Sequence, residues 1–438
     1  MKSKGLPIAC FLLLALSGII WWSNKKAASA DKTPIEKTAT SLISIPEVQF
    51  QEIEIQKRNG EVIRLQRVDS KWQIAAARPL RADPDAMSSL LSSLSSLSSD
   101  RTVEEKGASF DQYGLTQPAT ELNVTDGSKK TAKILIGDQT PAGTAVYAAI
   151  AGDPRVFALS SYKTSNFDKS VNDLRDRRML LFDTDKLSRV ELQSKKQSIE
   201  FGRDKDRWQI VKPMPFRADP SAVEELLRTL HDAKMDLTGS GDDKTTAAAF
   251  RSAVPLAIAR VSDSSGTQEL EVRKSKDDYY AKSSAVEGTF KIASNVATGL
   301  DKNVDDFRNK NIFDFGYADP EKVEIHDGAR NYLLIRNSSG WLLNGAKLDT
   351  ASATTWIEQI RDLTASKFAD SGFAAPLMDL TVTSDNGKRT EKVTISKNGD
   401  KYIAKREGEP ALYELGASVV QELQKSEADL KPAAPAKK

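Results

Sequence analysis

The 438-residue chain holds one cysteine, Cys10, and two histidines, His231 and His326. A single thiol closes no intrachain disulfide and builds no thiolate cluster, and two imidazoles are too few for a histidine-based metal centre. An excess of charge is lacking as well: 63 Lys+Arg against 61 Asp+Glu leave +2. That is too weak a field to make nucleic acid the main partner. What remains is the composition of a folded body, 39% hydrophobic and 28% charged. The length exceeds what one core usually organises, so two to three domains are expected.

The one long apolar run lies at the N-terminus. Lys2 and Lys4 precede LPIACFLLLALSGIIWW (Leu6–Trp22), and Lys25 and Lys26 close it. It is short for a spanning helix, but Trp21 and Trp22 stand where an interfacial aromatic belt would. The expectation is a membrane anchor over residues 1–24, with residues 6–22 in lipid. It implies a single-pass protein of the inner (cytoplasmic) membrane whose body is extracytoplasmic, that is, periplasmic. The alternative is a cleaved secretory signal with Ala28-Ser29-Ala30 as its small-residue site, against which two intervening lysines weigh. Residues 25–46, polar and small, read as a flexible tether.

Beyond the tether the chain repeats itself. Trp72 and Trp208 are 136 residues apart, and Trp341 follows 133 later. Around each tryptophan the same order recurs. FQEIEIQKRNGEVIRLQRV, SRVELQSKKQSIEFGRD and EKVEIHDGARNYLLIRN alternate with period two around turn residues, the pattern of a hairpin to which the Trp strand adds a third member. Met87, Leu90, Leu91, Leu94 and Leu97 then fall at helical spacing, as do Val223, Leu226, Leu227 and Leu230, and Trp356, Ile357, Ile360 and Leu363. Two further hairpins and a short closing helix, carrying DLRDRRMLLF or DDFRNKNIFDF, complete each unit. The fold class expected is α+β: three tandem repeats, each a three-stranded meander, a helix, a four-stranded meander and a short helix, after one transmembrane helix. The units run over residues 47–182, 183–318 and 319–431, with 432–438 a disordered tail.

R-A-D-P occurs twice, with Asp83-Pro84 and Asp219-Pro220 each at a helix start. An Asp before a Pro is an N-cap followed by proline at the first helical position. The third unit keeps Asp349 without the Arg and Pro, so the shared feature is the cap. A structural role is therefore assigned to Asp83, Pro84, Asp219, Pro220 and Asp349. Trp72, Trp208 and Trp341 are expected to plug the space between sheet and helix rather than to stack on sugars or peptides.

Other chemistry fares worse. His231 and His326 have no counterparts in the other units. Asp83 with Asp85, and Asp242 with Asp243, lack the alternating pattern of a calcium loop. GSGDDK (Gly239–Lys244) lacks the spacing of a phosphate cradle. The serines of MSSLLSSLSSLSSD are the solvent face of a helix, and Arg175, Arg177 and Arg178 are interleaved with Asp173 and Asp176. No catalytic residue, metal or cofactor is expected.

WQIAAARPLRADPDAMSSLLSSL, FDQYGLTQPATELNV, ILIGDQTP, DPRVFAL and DLRDRRML together resemble the bacterial family known as domain of unknown function 4340. The resemblance implies a membrane-anchored extracytoplasmic protein of unestablished activity, whose relatives are often encoded beside ABC-type transporter components. It brings no catalytic residues. The function expected is a non-enzymatic scaffold or accessory subunit of an envelope or ABC-type transport system; a carbohydrate- or peptide-binding envelope module is the alternative.

Overall fold

The computed structural model describes residues 39–433, apart from 77, 108, 239–242, 317–319, 329 and 339. The chain divides into two compact units, the first ending at Arg177 and the second beginning at Arg178. The first holds one repeat and the second holds two.

In the first repeat, β1 (Phe50–Lys57) turns at Gly60 into β2 (Val62–Val68), and β3 (Lys71–Ile74) carries Trp72. A two-residue β4 (Leu80–Arg81) leads into helix α1 (Pro84–Ser95). After it come β5 (Arg101–Glu104), β6 (Thr120–Asp126), β7 (Thr131–Gln139), β8 (Ala145–Ile150) and β9 (Val156–Ser160). All nine join one sheet in the order β4-β3-β2-β1-β6-β7-β8-β9-β5. The other repeats reproduce this order strand for strand.

The fold expectation is thereby corrected. The two meanders are halves of one antiparallel sheet, sewn together by β1 against β6, where Ile53 faces Val124 and Ile55 faces Leu122. The protein is mostly β, with its helices laid on the sheets. Alternation along β6, where Leu122 and Val124 are buried, turns one face toward α1, whose Met87, Leu90, Leu91 and Leu94 complete the core. The corresponding helices α2 (Pro220–His231) and α3 (Thr350–Arg361) bury Val223, Leu226, Leu227 and Leu230, and Ala353, Trp356, Ile357 and Ile360. The segments expected to be closing helices are otherwise employed. Only the end of one helical turn, Val171–Leu174, enters DLRDRRMLLF, and only the end of one 3-10 turn, Val304–Asp306, enters DDFRNKNIFDF. The residues after each are extended and cover a sheet edge.

Every repeat has such an entry and exit segment. In the first unit Leu42 N–H donates to Leu97 O (2.9 Å), and at the other edge Asp83 N–H donates to Leu174 O (2.8 Å). In the second unit the entry is Met179, donating to Ala233 O (2.8 Å), and the last exit is Lys431, whose carbonyl accepts from Asp349 N–H (2.9 Å). Phe307–Ile312 serves both purposes. Phe307 O accepts from Asp219 N–H (2.8 Å) and Asn309 N–H donates to Arg217 O (2.9 Å), while Ile312 N–H donates to Leu363 O (2.8 Å). Unpaired sheet edges invite association with other chains, and here the protein's own backbone covers them.

These segments move the domain limits. The end of the expected tether belongs to the first core, because Leu42, Ile43 and Ile45 are buried in it. The expected tail is ordered through Ala433, whose N–H donates to Lys347 O (2.8 Å); residues 434–438 lie outside the described residues.

The single-pass, inner-membrane expectation is also corrected. Among the described residues no helix is long and apolar enough to cross a membrane. The capped helices and Ala417–Ala428 have 12 residues each, where a span needs about 20. The run Leu6–Trp22, on which that expectation rested, lies outside the described residues.

Candidate functional site

The densest polar cluster grows from the edge strand Phe216–Arg217, paired with the Trp208 strand through Gln209↔Arg217 and Ile210↔Phe216. Alternation sends the two side chains opposite ways. Phe216 packs against the cores of both the second and the third repeat. Arg308, from the shared linker, lies with its guanidinium carbon 4.0 Å from the Phe216 ring centroid and 3.5 Å from that of Phe368. Such stacking contributes about 0.5–2 kcal/mol per ring.

Arg217 reaches into the third repeat. Its Nη1 stands 2.8 Å from Asp314 Oδ2, its Nε 3.0 Å from Glu409 Oε1 and its Nη2 3.1 Å from the Tyr413 hydroxyl, and it also donates to the Asn311 carbonyl. The Tyr413 hydroxyl donates to Glu409 Oε2 at 2.9 Å. Arg406 joins Glu409 Oε1 (2.8 Å) to Glu391 Oε1 (3.1 Å) and donates to the Ile312 carbonyl. Arg389 lies 3.3 Å from Glu391 Oε2 and 3.4 Å from Asp314 Oδ2. Arg406 and Glu391 are buried. Burial works against the Arg217 charge, yet Tyr413, Asp314 and Glu409 outweigh it and hold the guanidinium above its ordinary value. Burial pushes the Tyr413 hydroxyl up, with Arg217 opposing and Glu409 assisting.

Three guanidinium groups thus meet three carboxylates, and each charge is spent on a neighbour. The arrangement neutralises itself and clamps the third repeat to the second. No sequence reading pointed to these residues. The one available signal was the Arg of R-A-D-P, placed two residues before the cap, which the cap argument left unused.

The residues singled out from sequence occupy separate places. Asp83 Oδ1 accepts from Asp85 and Ala86 N–H, both at 3.0 Å; Asp219 accepts from Ala222 N–H at 3.0 Å and Asp349 from Ser352 N–H at 2.9 Å. Pro84 and Pro220 open their helices. Trp341 is buried, and Trp72 and Trp208 are half-buried against their cores. His231 is exposed beside Asp232 (3.1 Å), and exposed His326 pairs with Asn331. Asp242 lies outside the described residues, while Asp243 and Lys244 open a helix, Asp243–Ser252. Arg175 bridges Ala82 in the first unit and Arg178 bridges Lys234 in the second. Among the described residues no three acid, histidine or cysteine side chains gather as a metal site.

The sequence profile of Domain of unknown function (DUF4340) matches residues 72–210 and again 208–377. The chain belongs to this family. The DUF4340 frame opens at Trp72 and at Trp208, so it is phased on the third strand of a sheet and straddles two structural repeats. No curated protein matches the sequence. Among solved structures, the DNA polymerase sliding clamp from Pseudomonas aeruginosa is 8% identical, with 85% of this chain and 92% of that chain covered and a TM-score of 0.15. A Ca2+-stabilized adhesin that helps an Antarctic bacterium bind ice is 9% identical, with coverages of 86% and 84% and a TM-score of 0.09. Neither likeness informs the fold or the function of this DUF4340 protein.

Proposed function

We propose that the protein is a non-enzymatic scaffold, a tandem array of edge-covered sheets that presents surface to a protein partner. The observation that carries this reading is the double use of Phe307–Ile312. The segment completes one sheet and begins the next, and the Arg217 clamp fastens the same joint. Together they support treating the second and third repeats as one preorganised surface, which lowers the entropic cost of binding. The ionic groups of this joint are engaged in holding repeats together, and the three candidate tryptophan platforms pack against cores, which disfavours the sugar-stacking alternative. A transport-system partner is suggested by the family resemblance alone.

In-cell crosslinking of the tagged full-length chain, followed by reconstitution with the purified candidate, tests the reading. A defined complex that weakens at least tenfold with Arg217→Ala is expected. Retention of nothing above control, or turnover of a substrate by the purified chain, would overturn it.

A further inference from the structure

The second repeat carries an element of its own. Between its capped helix and the second half of its sheet stands Asp243–Ser252, lying against strands Gly266–Ser275, Asp278–Ser283 and Thr289–Ile292. It occupies the face opposite α2, since Ala281 points into the main core while its neighbour Lys282 is exposed. Phe250 pins the helix there. It is buried, and the Arg273 guanidinium, itself paired with Glu271 at 2.7 Å, lies 4.6 Å from its ring centroid.

Beside this helix opens a cleft of about 690 Å³, lined by Lys244, Ala247, Phe250, Arg251, Lys282 and Thr289 together with Gly288 and one carboxylate, Glu287, which is already engaged. Its cations differ from the paired arginines of the same repeat. Arg228, Arg260 and Arg273 are each paired with a glutamate, whereas Lys244, Arg251 and Lys282 have no carboxylate partner among the described residues. Lys244, Ala247 and Arg251 share one helical face, with the two cations two turns apart, about 10.5 Å. Lys282 faces them from the sheet, across from its strand partner Thr289.

From this geometry we infer that the cleft binds an acidic peptide segment of a partner protein, two carboxylates engaging Lys244 and Arg251 while an apolar side chain between them rests on Ala247 and Phe250. An extended chain advances about 3.3 Å per residue and alternates its faces, so acids four positions apart, with the apolar residue midway between them, share one face and stand about 13 Å apart, within reach of the two long cationic side chains. Charges separated over an apolar floor favour such a segment over a lone phosphate. Three cations beside one carboxylate are too few for the row of phosphate contacts that nucleic acid needs. The inference rests on the scaffold reading and names the chemistry of its partner.

The test is isothermal titration of the full-length protein with the peptide acetyl-Ala-Glu-Ala-Phe-Ala-Glu-Ala-amide. Binding should weaken at least tenfold in the double variant Lys244→Gln/Arg251→Gln and severalfold in Lys282→Gln, and should fall as salt rises. All three side chains are exposed, so unfolding curves should not change. Equal affinity in the double variant, or no binding by the wild type, overturns the inference. So does binding of inorganic phosphate or of phosphatidylglycerol vesicles through the same cations while the peptide fails. A cellular partner that binds the double variant unchanged removes this inference and leaves the scaffold reading standing.

Discussion

Arg217 Nη1 lies 2.8 Å from Asp314 Oδ2, and this contact explains why an arginine precedes the helix cap. The residue before the cap region sits on the outermost strand, where a long planar cation can cross to the next repeat and meet carboxylates along several edges at once. Removing it leaves Asp314 and Glu409 to share Arg389 and Arg406 and takes a donor from Tyr413, all in a partly buried place. Arg217→Ala is expected to destabilise the second unit by about 2–4 kcal/mol in urea unfolding. Arg217→Lys, which keeps the charge without the fork, should recover less than half of that loss.

The caps set a smaller scale. Asp83→Ala, Asp219→Ala and Asp349→Ala each delete an acceptor for otherwise unpaired N–H groups and a charge at the positive end of a helix, at a cost of about 1 kcal/mol apiece. Equal losses in the three, measured by the same unfolding method, are expected. A loss at Asp83 and Asp219 alone would mean that the surrounding R-A-D-P, and not the cap, carries the effect.

Two glycines of the first repeat carry a steric argument. A Cβ on Gly137 would fall 2.2 Å from the Tyr113 carbonyl oxygen, and one on Gly114, at φ +65°, would fall 2.4 Å from Asp138. The turn holding Tyr113 is thus seated directly on β7, and the Tyr113 hydroxyl donates to Glu104, at the end of β5, at 2.6 Å. Gly137→Ala should cost at least about 2 kcal/mol, because backbone must move. Gly60→Ala meets nothing within 4 Å and should cost only about 1 kcal/mol for its left-handed φ. The ratio of the two losses checks the close approach.

What the sequence disclosed follows from the range of each signal. The repeat period and the buried helix faces are local and periodic, so Leu226 and Ile357 could be placed without a structure. The single sheet was hidden because its decisive pairing, β1 against β6, joins residues such as Ile53 and Val124 across an intervening helix. Its edge strands, Leu80–Arg81 and Phe216–Arg217, are two residues long and have no period to detect. The clamp was equally invisible. Glu391, Arg406 and Glu409 stand in charged surroundings that read as solvated strand and turn until the linker carbonyl of Ile312 is seen to cover them.

The third repeat differs from its siblings at the join between its first strand and its last helix. At the end of the first strand the first repeat pairs Lys57 with Asp168 (3.4 Å), the residue after its 3-10 turn Ser165–Phe167, and the second sets Ser194 3.4 Å from Asp301, the residue after its helix Ser294–Leu300. In the third, two acids meet: Asp327, buried, and Glu427, whose side chain is fully covered, with Arg330 2.6 Å from the former and 4.0 Å from the latter. Burial, with Asp327 adding to it and Arg330 opposing, pushes Glu427 up to about 7. The position in the last turn of Ala417–Ala428 also disfavours a negative charge. Below about pH 4.5 folded and unfolded chains both hold this proton, and no cost arises. Between there and about pH 7 the unfolded chain ionises first, so stability falls as pH rises, and above 7 the cost is constant. Glu427→Gln should abolish that slope and stabilise the helix at pH 8 by up to about 3 kcal/mol, with slower hydrogen exchange over Ala417–Ala428. At pH 4 the variant and wild type should exchange alike, since the acid is then already neutral. A variant that exchanges faster at pH 8 would show instead that the charged carboxylate is what Arg330 is placed to hold.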